Sequence, residues 1–199
     1  MLTAMTAAAL VLAAITPTST TAAPPGKVTI DVVTVNGSGC PAGTAAVAPA
    51  ADNTAFTVTY SDYLAQTGAG AAPTDFRKNC QLVLRVHYPQ GFTFGIAQAD
   101  YRGFAHLAGN ASGVERANYY FQGTSPTEAR THTFNGPMSD NWQATDRAEV
   151  GAIVYAPCGE QRMLNVNTQL RVHGGSSFMT MDSTDASFST KYHFSWKKC

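Results

Sequence analysis

Apolar and polar side chains alternate along much of the chain with a period of two residues, which is typical of β-strands. In residues 79–88, leucine, valine and tyrosine side chains fall on one face, whereas polar side chains fall mostly on the other. Pro89 and Gly91 end this segment, because proline donates no hydrogen bond to a strand ladder and glycine readily adopts turn conformations. We predict a half-buried strand here, held at its start by Cys80.

Residues 163–173 alternate most regularly, with leucine and valine side chains predicted inward and Asn165, Asn167 and Gln169 among those predicted outward. Residues 149–156 are apolar on both faces, as expected of a central strand. Further strands are predicted at 27–35, 45–48, 54–60, 92–96 with its continuation over 98–107, 114–122, 129–134 and in the aromatic segment that ends the chain.

Two segments lack a strand pattern, and we predict a helical turn at 62–66 and a long polar loop at 138–147. About nine or ten short strands separated by turn residues remain. Their number and spacing predict an all-β fold, namely a single antiparallel β-sandwich or jelly-roll-like domain.

An apolar run over residues 1–15, followed by small residues and prolines, predicts a secretory signal peptide over 1–22. The first Lys or Arg is Lys27, so the positive segment that usually opens such a signal is missing, and a buried N-terminal helix is the alternative. The run is too short to span a bilayer and no later segment is suitable, so we expect no membrane anchor. Residues 23–199 then form one secreted, extracellular domain.

Charged residues are balanced, with 13 Lys and Arg against 13 Asp and Glu and a formal net charge of zero. The short basic end at Lys197 and Lys198 is the one local concentration of charge. Binding of nucleic acid or of an anionic membrane needs concentrated positive charge, so we expect neither partner. We expect the domain to be a monomer.

An even number of cysteines in an exported chain predicts disulfides, and this chain has four: Cys40, Cys80, Cys158 and Cys199. Three connectivities are open, of which we favour the two that join neighbours along the chain. Each bond would close a loop of about 40 residues. In the chain-entropy model, closing such a loop stabilises the folded state relative to the unfolded chain by roughly 4 kcal/mol. No two cysteines have the close spacing of a zinc knuckle.

An ordered set of motifs resembles one known family: GSGCPAGT at 37–44, RKNCQ at 77–81, PQG at 89–91, NVNT at 165–168 and a terminal cysteine after an aromatic strand. It is the secreted domain-of-unknown-function family 4360, which is found in actinobacteria and filamentous fungi. The resemblance covers nearly all of the predicted mature domain. It implies export and an all-β fold, and it carries over no catalytic or binding residues.

Histidine and methionine residues suggest a metal site. His87, His173 and His193 lie on polar faces of predicted strands and would converge if those strands were neighbours, and the pair Met179 and Met181 adds thioether ligands of the kind that copper prefers. No two histidines have the sequence spacing of a ligand pair. Surface histidines and core methionines are the commoner explanation, so we predict no metal and no cofactor.

Hydrolysis of a polysaccharide by a glycosidase requires two carboxyl groups, roughly 5 to 9 Å apart. Six acidic residues are candidates: Asp100, Asp140, Asp146, Glu149, Asp182 and Asp185. Nothing in the sequence indicates that any two of them converge, and exposed carboxylates are common in loops. A G-x-S-x-G motif for a serine nucleophile does not occur in the sequence.

Three aromatic residues are candidates for a binding surface. Tyr120 lies opposite the apolar face of its predicted strand, Tyr101 precedes a break at Gly103, and Trp142 lies in the predicted polar loop. Flat rings on an exposed sheet are suited to stacking on sugar rings or on a protein partner. Alternatively, each ring covers a sheet edge or closes an end of the sandwich.

The export signal, the paired cysteines and the lack of a catalytic motif favour a non-enzymatic secreted domain that recognises extracellular carbohydrate or protein. A secreted jelly-roll hydrolase that acts on polysaccharide through a carboxylate pair is the second hypothesis, and an exported inhibitor or effector is the third. A carboxylate pair in a cleft would favour the hydrolase, whereas a flat patch around Tyr120 or Trp142 would favour binding.

Overall fold

A computed structural model describes residues 22–125, 127, 129–182 and 189–199. The predicted signal peptide lies outside the described residues except for Ala22. The described chain is built from β-strands: β1 (Thr29–Asn36), β2 (Ala45–Pro49), β3 (Ala55–Tyr60), β4 (Leu64–Thr67), β5 (Arg77–His87), β6 (Phe92–Leu107), β7 (Ser112–Phe121), β8 (Arg130–Asn135), β9 (Met138–Arg147), β10 (Leu164–His173), β11 (Ser177–Thr180) and β12 (Thr190–Lys198).

The strands form two antiparallel sheets. Sheet A has the order β1-β5-β10-β7-β8, and sheet B has the order β2-β3-β12-β6-β11-β4, with β9 also paired to β6. Gln98, Ala99 and Asp100 pair with both β12 and β9, so these two strands lie on opposite edges of β6. The predicted antiparallel β-sandwich is confirmed, with long-range pairing between strands that are distant in sequence.

The core lies between the sheets and is rich in aromatic rings. The predicted face of β12 is confirmed, because Tyr192, Phe194 and Trp196 are all buried. The ring of Tyr192 stacks on Phe56 with centroids 4.9 Å apart. The Trp196 indole N–H donates to the Asn53 carbonyl over 2.7 Å, which satisfies the polar atom of a ring that is otherwise packed against carbon.

The prediction of a loop at 138–147 is wrong, because this segment is strand β9. Trp142, Ala144 and Asp146 are buried, whereas the residues between them are exposed or half-buried, which is the alternation of a strand. The sequence signal was weak because the outward positions are polar and β-branched residues are rare. Gly103 of β6 permits the close approach of the Thr180 backbone, since a Cβ at position 103 would lie 1.9 Å from the Thr180 carbonyl oxygen.

Two further predictions of local structure are wrong. Residues 149–156 contain a 3-10 turn instead of a central strand, and the Val150 side chain is 87% exposed. This segment bonds to β6 mainly near its ends, where Ala148 and Ala156 donate backbone hydrogen bonds, so its middle lies outside the sheet. Residues 64–67 form strand β4 rather than a helical turn, because pairing with β11 outweighs their weak local helix preference.

Both predicted disulfides are present and have the predicted connectivity. Cys40 bonds to Cys80, with Cα atoms 5.3 Å apart, and Cys158 bonds to Cys199, with Cα atoms 5.8 Å apart. The first bond is buried in the core, whereas both residues of the second are exposed. The two bonds therefore differ in packing while closing loops of similar length.

Removing the buried disulfide should destabilise the domain more than removing the exposed one. The sequence separations are 40 and 41 residues, so the entropic loss should be nearly equal, at roughly 4 kcal/mol for each bond. The double variant Cys40→Ala/Cys80→Ala also leaves a cavity in the core, whereas Cys158→Ala/Cys199→Ala does not. We expect the first variant to lose at least about 1 kcal/mol more free energy of unfolding in guanidinium titrations. Equal losses would show that core packing around the sulfurs contributes nothing.

Candidate functional site

The outer face of sheet A carries a continuous array of side-chain amides. β10 lies between β5 and β7, and the outward positions of these three strands are mostly polar. We call this array the amide face, and it consists of Asn79, Gln81, Asn118, Asn165, Asn167 and Gln169.

Cross-strand register aligns these side chains in rows. Asn167 is paired with Gln81 on one side and with Asn118 on the other. The next row places Gln169 between Asn79 and Arg116. Neighbouring strands are about 4.8 Å apart and successive outward residues about 6.8 Å apart, so the rows form a regular grid of polar groups.

A shallow depression of about 200 Å³ lies over two of these rows. Within the described chain, the amide face has two side-chain partners: the Ser38 hydroxyl donates to Asn79 Oδ1 over 3.2 Å, and Arg171 Nη2 donates to Gln169 Oε1 over 3.1 Å. Each amide offers two N–H donors and one carbonyl acceptor. Apart from Asn165, which is only 8% exposed, most of this hydrogen-bonding capacity is therefore directed to solvent or to a ligand.

Tyr120 is the aromatic residue that borders the amide face. It is half-buried, and its register partner on β10 is Asn165, which in turn pairs with Val83 on β5. This row follows directly after the row that contains Asn167. Of the three aromatic residues predicted to be exposed, Tyr120 alone lies on an outer sheet face with part of its surface accessible.

The prediction of exposed rings is wrong for Tyr101 and Trp142. Tyr101 is completely buried and Trp142 is 3% exposed, so neither ring has a free face for stacking. Both residues pack between the sheets, and the Trp142 indole N–H donates to the Thr180 carbonyl over 3.0 Å. Trp142 was misplaced because β9 was predicted to be a loop, and Tyr101 because its strand continues through the predicted break at Gly103.

The histidines proposed as metal ligands do not converge. His87 on sheet A contacts Asp31, and His193 on sheet B contacts Asp100, each over 2.8 Å. The methionines at 179 and 181 are buried in the core. Among the residues that the structure describes, no group of three or more His, Cys, Asp or Glu side chains is arranged to hold a metal ion.

Most of the candidate carboxylates are also separated. Asp140 and Glu149 are exposed, and Asp185 lies outside the described residues. Asp100 and Asp146 lie on opposite faces of sheet B, because Asp100 pairs with Thr145 and Asp146 pairs with Ala99. Asp100 accepts hydrogen bonds from Thr145 over 2.7 Å and from Gln98 over 2.9 Å, and these bonds outweigh desolvation and lower its pKa.

Asp146 instead faces Glu115, which lies on the inner face of β7. Glu115 has no exposed surface, and neither of its carboxyl oxygens has a hydrogen-bond partner in the described chain. Asp146 Oδ1 bonds to His132 Nε2 over 2.8 Å, whereas its Oδ2 is buried and unpartnered among the same residues. Desolvation, and then the charge of Asp146, raises the pKa of Glu115 well above its ordinary value, so Glu115 is held neutral.

A cleft of about 240 Å³ between the sheet edges reaches one of these two acids. Its lining includes Asp146, Tyr119 and Arg130, and it does not include Glu115. A glycosidase needs both carboxyl groups in contact with the substrate, which the closed position of Glu115 prevents. The pair is therefore suited to a structural role in the core rather than to acid–base catalysis.

Glu115 was not among the acids selected from the sequence. Extending the alternation of β7 backwards from the inward residues Phe121 and Ala117 places position 115 on the inner face. The inward position of Glu115 is therefore predictable from the local alternation. The polar outward positions of the strands at 79–88 and 163–173 were predicted, whereas their assembly into rows depends on cross-strand register, which the sequence does not reveal.

Comparison with known proteins identifies the family. A family model described as domain of unknown function (DUF4360) matches residues 26–199, so the chain belongs to this family and the resemblance inferred from its motifs is confirmed. A relative from Arthroderma benhamiae, named "Uncharacterized secreted protein", is 37% identical over 179 residues. The aligned region covers 88% of this chain and 73% of that protein.

Two solved structures show weak similarity. TmCBM61 in complex with β-1,4-galactotriose is 10% identical and has a TM-score of 0.35, with 83% of this chain and 88% of that chain covered. The enzymatically active domain of tailspike protein 4 from bacteriophage CBA120 is 9% identical and has a TM-score of 0.27, with 87% and 19% covered. TM-scores this low establish no common fold with either protein.

The protein is secreted and extracellular. Its relative is a secreted protein, and two disulfides are typical of oxidising compartments outside the cytosol. In the described part of the chain, no helix has the length and apolar character needed to cross a bilayer.

Replacing Glu115 by glutamine should flatten the pH dependence of stability. Because the pKa of Glu115 is raised in the folded state, the native protein keeps a proton that the unfolded chain releases above the ordinary pKa of 4.5. Stability should therefore fall as pH rises. We expect the free energy of unfolding of the wild type to fall relative to Glu115→Gln between pH 5 and 8, by at most about 1.4 kcal/mol per pH unit.

The buried Asp182 provides a second test of how a raised carboxyl pKa changes the pH dependence of stability. Desolvation raises its pKa to about 7, so Asp182→Asn should remove a decline in stability that ends near that pH. Parallel stability curves for the wild type and Glu115→Gln between pH 5 and 8 would contradict the presence of a protonated Glu115 in the native core.

Proposed function

We propose that this member of the DUF4360 family is a non-catalytic extracellular domain that binds carbohydrate through the amide face. The observation that carries the proposal is the grid of side-chain amides on sheet A, bordered by Tyr120 and largely free of partners within the described chain. The grid belongs to the central strands of the sheet, so its spacing is held by the backbone ladders on both sides.

Amides and sugars have complementary hydrogen-bonding chemistry. Each sugar hydroxyl can both donate and accept, and each Asn or Gln side chain also offers both functions. Gln81, Asn167 and Asn118 lie side by side in one row, so several hydroxyls of one chain could be bound together. A preformed, rigid surface limits the entropy lost on binding, which favours recognition by a sheet rather than by a loop.

Tyr120 would provide the apolar contact. The axial face of a pyranose ring presents C–H groups, and an aromatic ring is suited to packing against them. Tyr120 follows the amide row along β7, so one sugar could contact the ring while the next reaches Asn118 and Asn167. An apolar contact beside hydrogen-bonding groups is the usual composition of a small-ligand site.

The position of the acids supports binding rather than hydrolysis. Glu115 is buried and Asp146 is bonded to His132, and both lie on inner faces of the sandwich, away from the amide face. The surface proposed to bind sugar has amides, arginines and a tyrosine in its rows, and its lining includes no carboxylate from the described chain.

Replacement of Tyr120 by alanine should weaken glycan binding by about tenfold, because one aromatic contact contributes about 0.5–1.5 kcal/mol in addition to its buried area. Asn167→Ala should have a similar effect through its hydrogen bonds. Phe178→Ala is a matched control, since it removes a half-buried ring from sheet B. The measurement is retention of the oxidised domain on insoluble polysaccharides and cell-wall preparations, together with assay of released sugars.

Retention that is lost in Tyr120→Ala and Asn167→Ala but kept in Phe178→Ala would support the proposal. Release of soluble sugar would contradict the non-catalytic part of it and would direct attention to the cleft beside Asp146. Retention that is unchanged in all three variants would place the binding surface elsewhere. Failure to bind any of the materials would favour a protein partner.

A further inference from the structure

Three arginines lie together at one end of the amide face. Arg116 pairs with Gln169 and lines the depression, and the Arg171 guanidinium donates to the same glutamine over 3.1 Å. Arg77 on β5 is the direct cross-strand partner of Arg171. We call Arg77, Arg116 and Arg171 the arginine end, and all three side chains are exposed.

The arginine end has no acidic partner in the described chain. Of the described ion pairs, the one formed by residues next to Arg77 joins Lys78 to Asp75 and leaves the three arginines unpaired. Like charges that lie directly opposite each other on two strands destabilise a sheet, and Arg77 with Arg171 is such a pair. A protein with equal numbers of acidic and basic residues has therefore concentrated positive charge at this place without neutralising it.

The opposite end of the same face is different. Arg85 is paired in register with Asp31, and the Asp31 carboxylate contacts His87 Nε2 over 2.8 Å. Positive charge at that end is therefore accompanied by an acid. Among the residues that the structure describes, the sheet face is thus asymmetric along its strands, with uncompensated guanidinium groups at the end that carries Arg77 and Arg171.

We propose that the carbohydrate bound by the amide face is anionic, with carboxylate or sulfate groups on its sugars that contact Arg116 and Arg171. This inference rests on the proposed function and adds the class of sugar. The guanidinium group offers a planar fork of N–H donors that binds carboxylate or sulfate oxygens in pairs. The amide rows would bind the hydroxyls of the same chain, and the arginine end would bind its charge.

The test compares polymers that differ in charge alone. Affinity electrophoresis of the mature protein uses gels that contain polygalacturonate or the same polymer with its carboxyl groups reduced, and dextran sulfate or dextran. At 0.15 M NaCl we expect at least about tenfold tighter binding to a charged polymer than to its neutral counterpart. Arg116→Gln and Arg171→Gln should each weaken that binding by about tenfold and reduce its salt dependence.

Lys191→Gln is the matched control, because it removes one exposed positive charge from sheet B. Preference for polygalacturonate alone would assign carboxylate sugars, and preference for dextran sulfate alone would assign sulfate esters. Equal loss in Lys191→Gln and in the arginine variants would indicate unspecific attraction to a polyanion and overturn the inference.

Further outcomes separate this inference from the proposed function. Equal binding to charged and neutral polymers, with Tyr120→Ala still reducing it, would overturn the anionic class while supporting carbohydrate binding by the amide face. Retention by none of the four polymers would overturn the anionic class, and the proposed function would then be decided by the cell-wall retention assay. Arg116 and Arg171 are exposed, so their glutamine variants should retain the wild-type melting temperature.

Discussion

The register of β10 between β5 and β7 is the constraint on which the rest of the structure depends. Leu164, Val166 and Leu170 face sheet B, because their burial removes apolar surface from water. Side chains alternate along a strand, so the residues between them must face outward. A slip by one residue would move asparagines into the core and leucines into solvent. Packing on the inner face therefore fixes the position of the amide face.

Strand β7 connects the core to the proposed binding surface. It carries Arg116, Asn118 and Tyr120 on the outside and Glu115 on the inside, so the same backbone holds a polar grid and a buried acid. The acid faces Asp146 of sheet B, and His132 of β8 in sheet A bonds to that aspartate. These groups join the sheets near the β8–β9 edge with a polar contact. Such a contact stabilises one arrangement of the sheets only while Glu115 stays protonated.

Local pattern and long-range pairing were predictable to different degrees. Alternation in 163–173 predicted the inward and outward residues of β10, because period-two burial is a local property. Strand β9 was missed because its outward side chains are polar, so that its identity depends on pairing with β6 rather than on its own composition. Disulfide connectivity followed from chain neighbourhood, whereas the neighbours of Asn167 follow from pairing between strands far apart in sequence.

The arginine end shows that a balanced count of charges along a sequence does not exclude a local concentration of charge on the folded surface. Arg77, Arg116 and Arg171 are distant in the chain and become neighbours only when β5, β10 and β7 pair. Their charge is nevertheless confined to one end of one sheet face, beyond which the rows contain amides and a tyrosine. Nucleic acids are usually bound by many cations distributed along a phosphate backbone. A few guanidinium groups beside a larger set of amides match a ligand with many hydroxyls and widely spaced charges, which is the chemistry of an acidic polysaccharide.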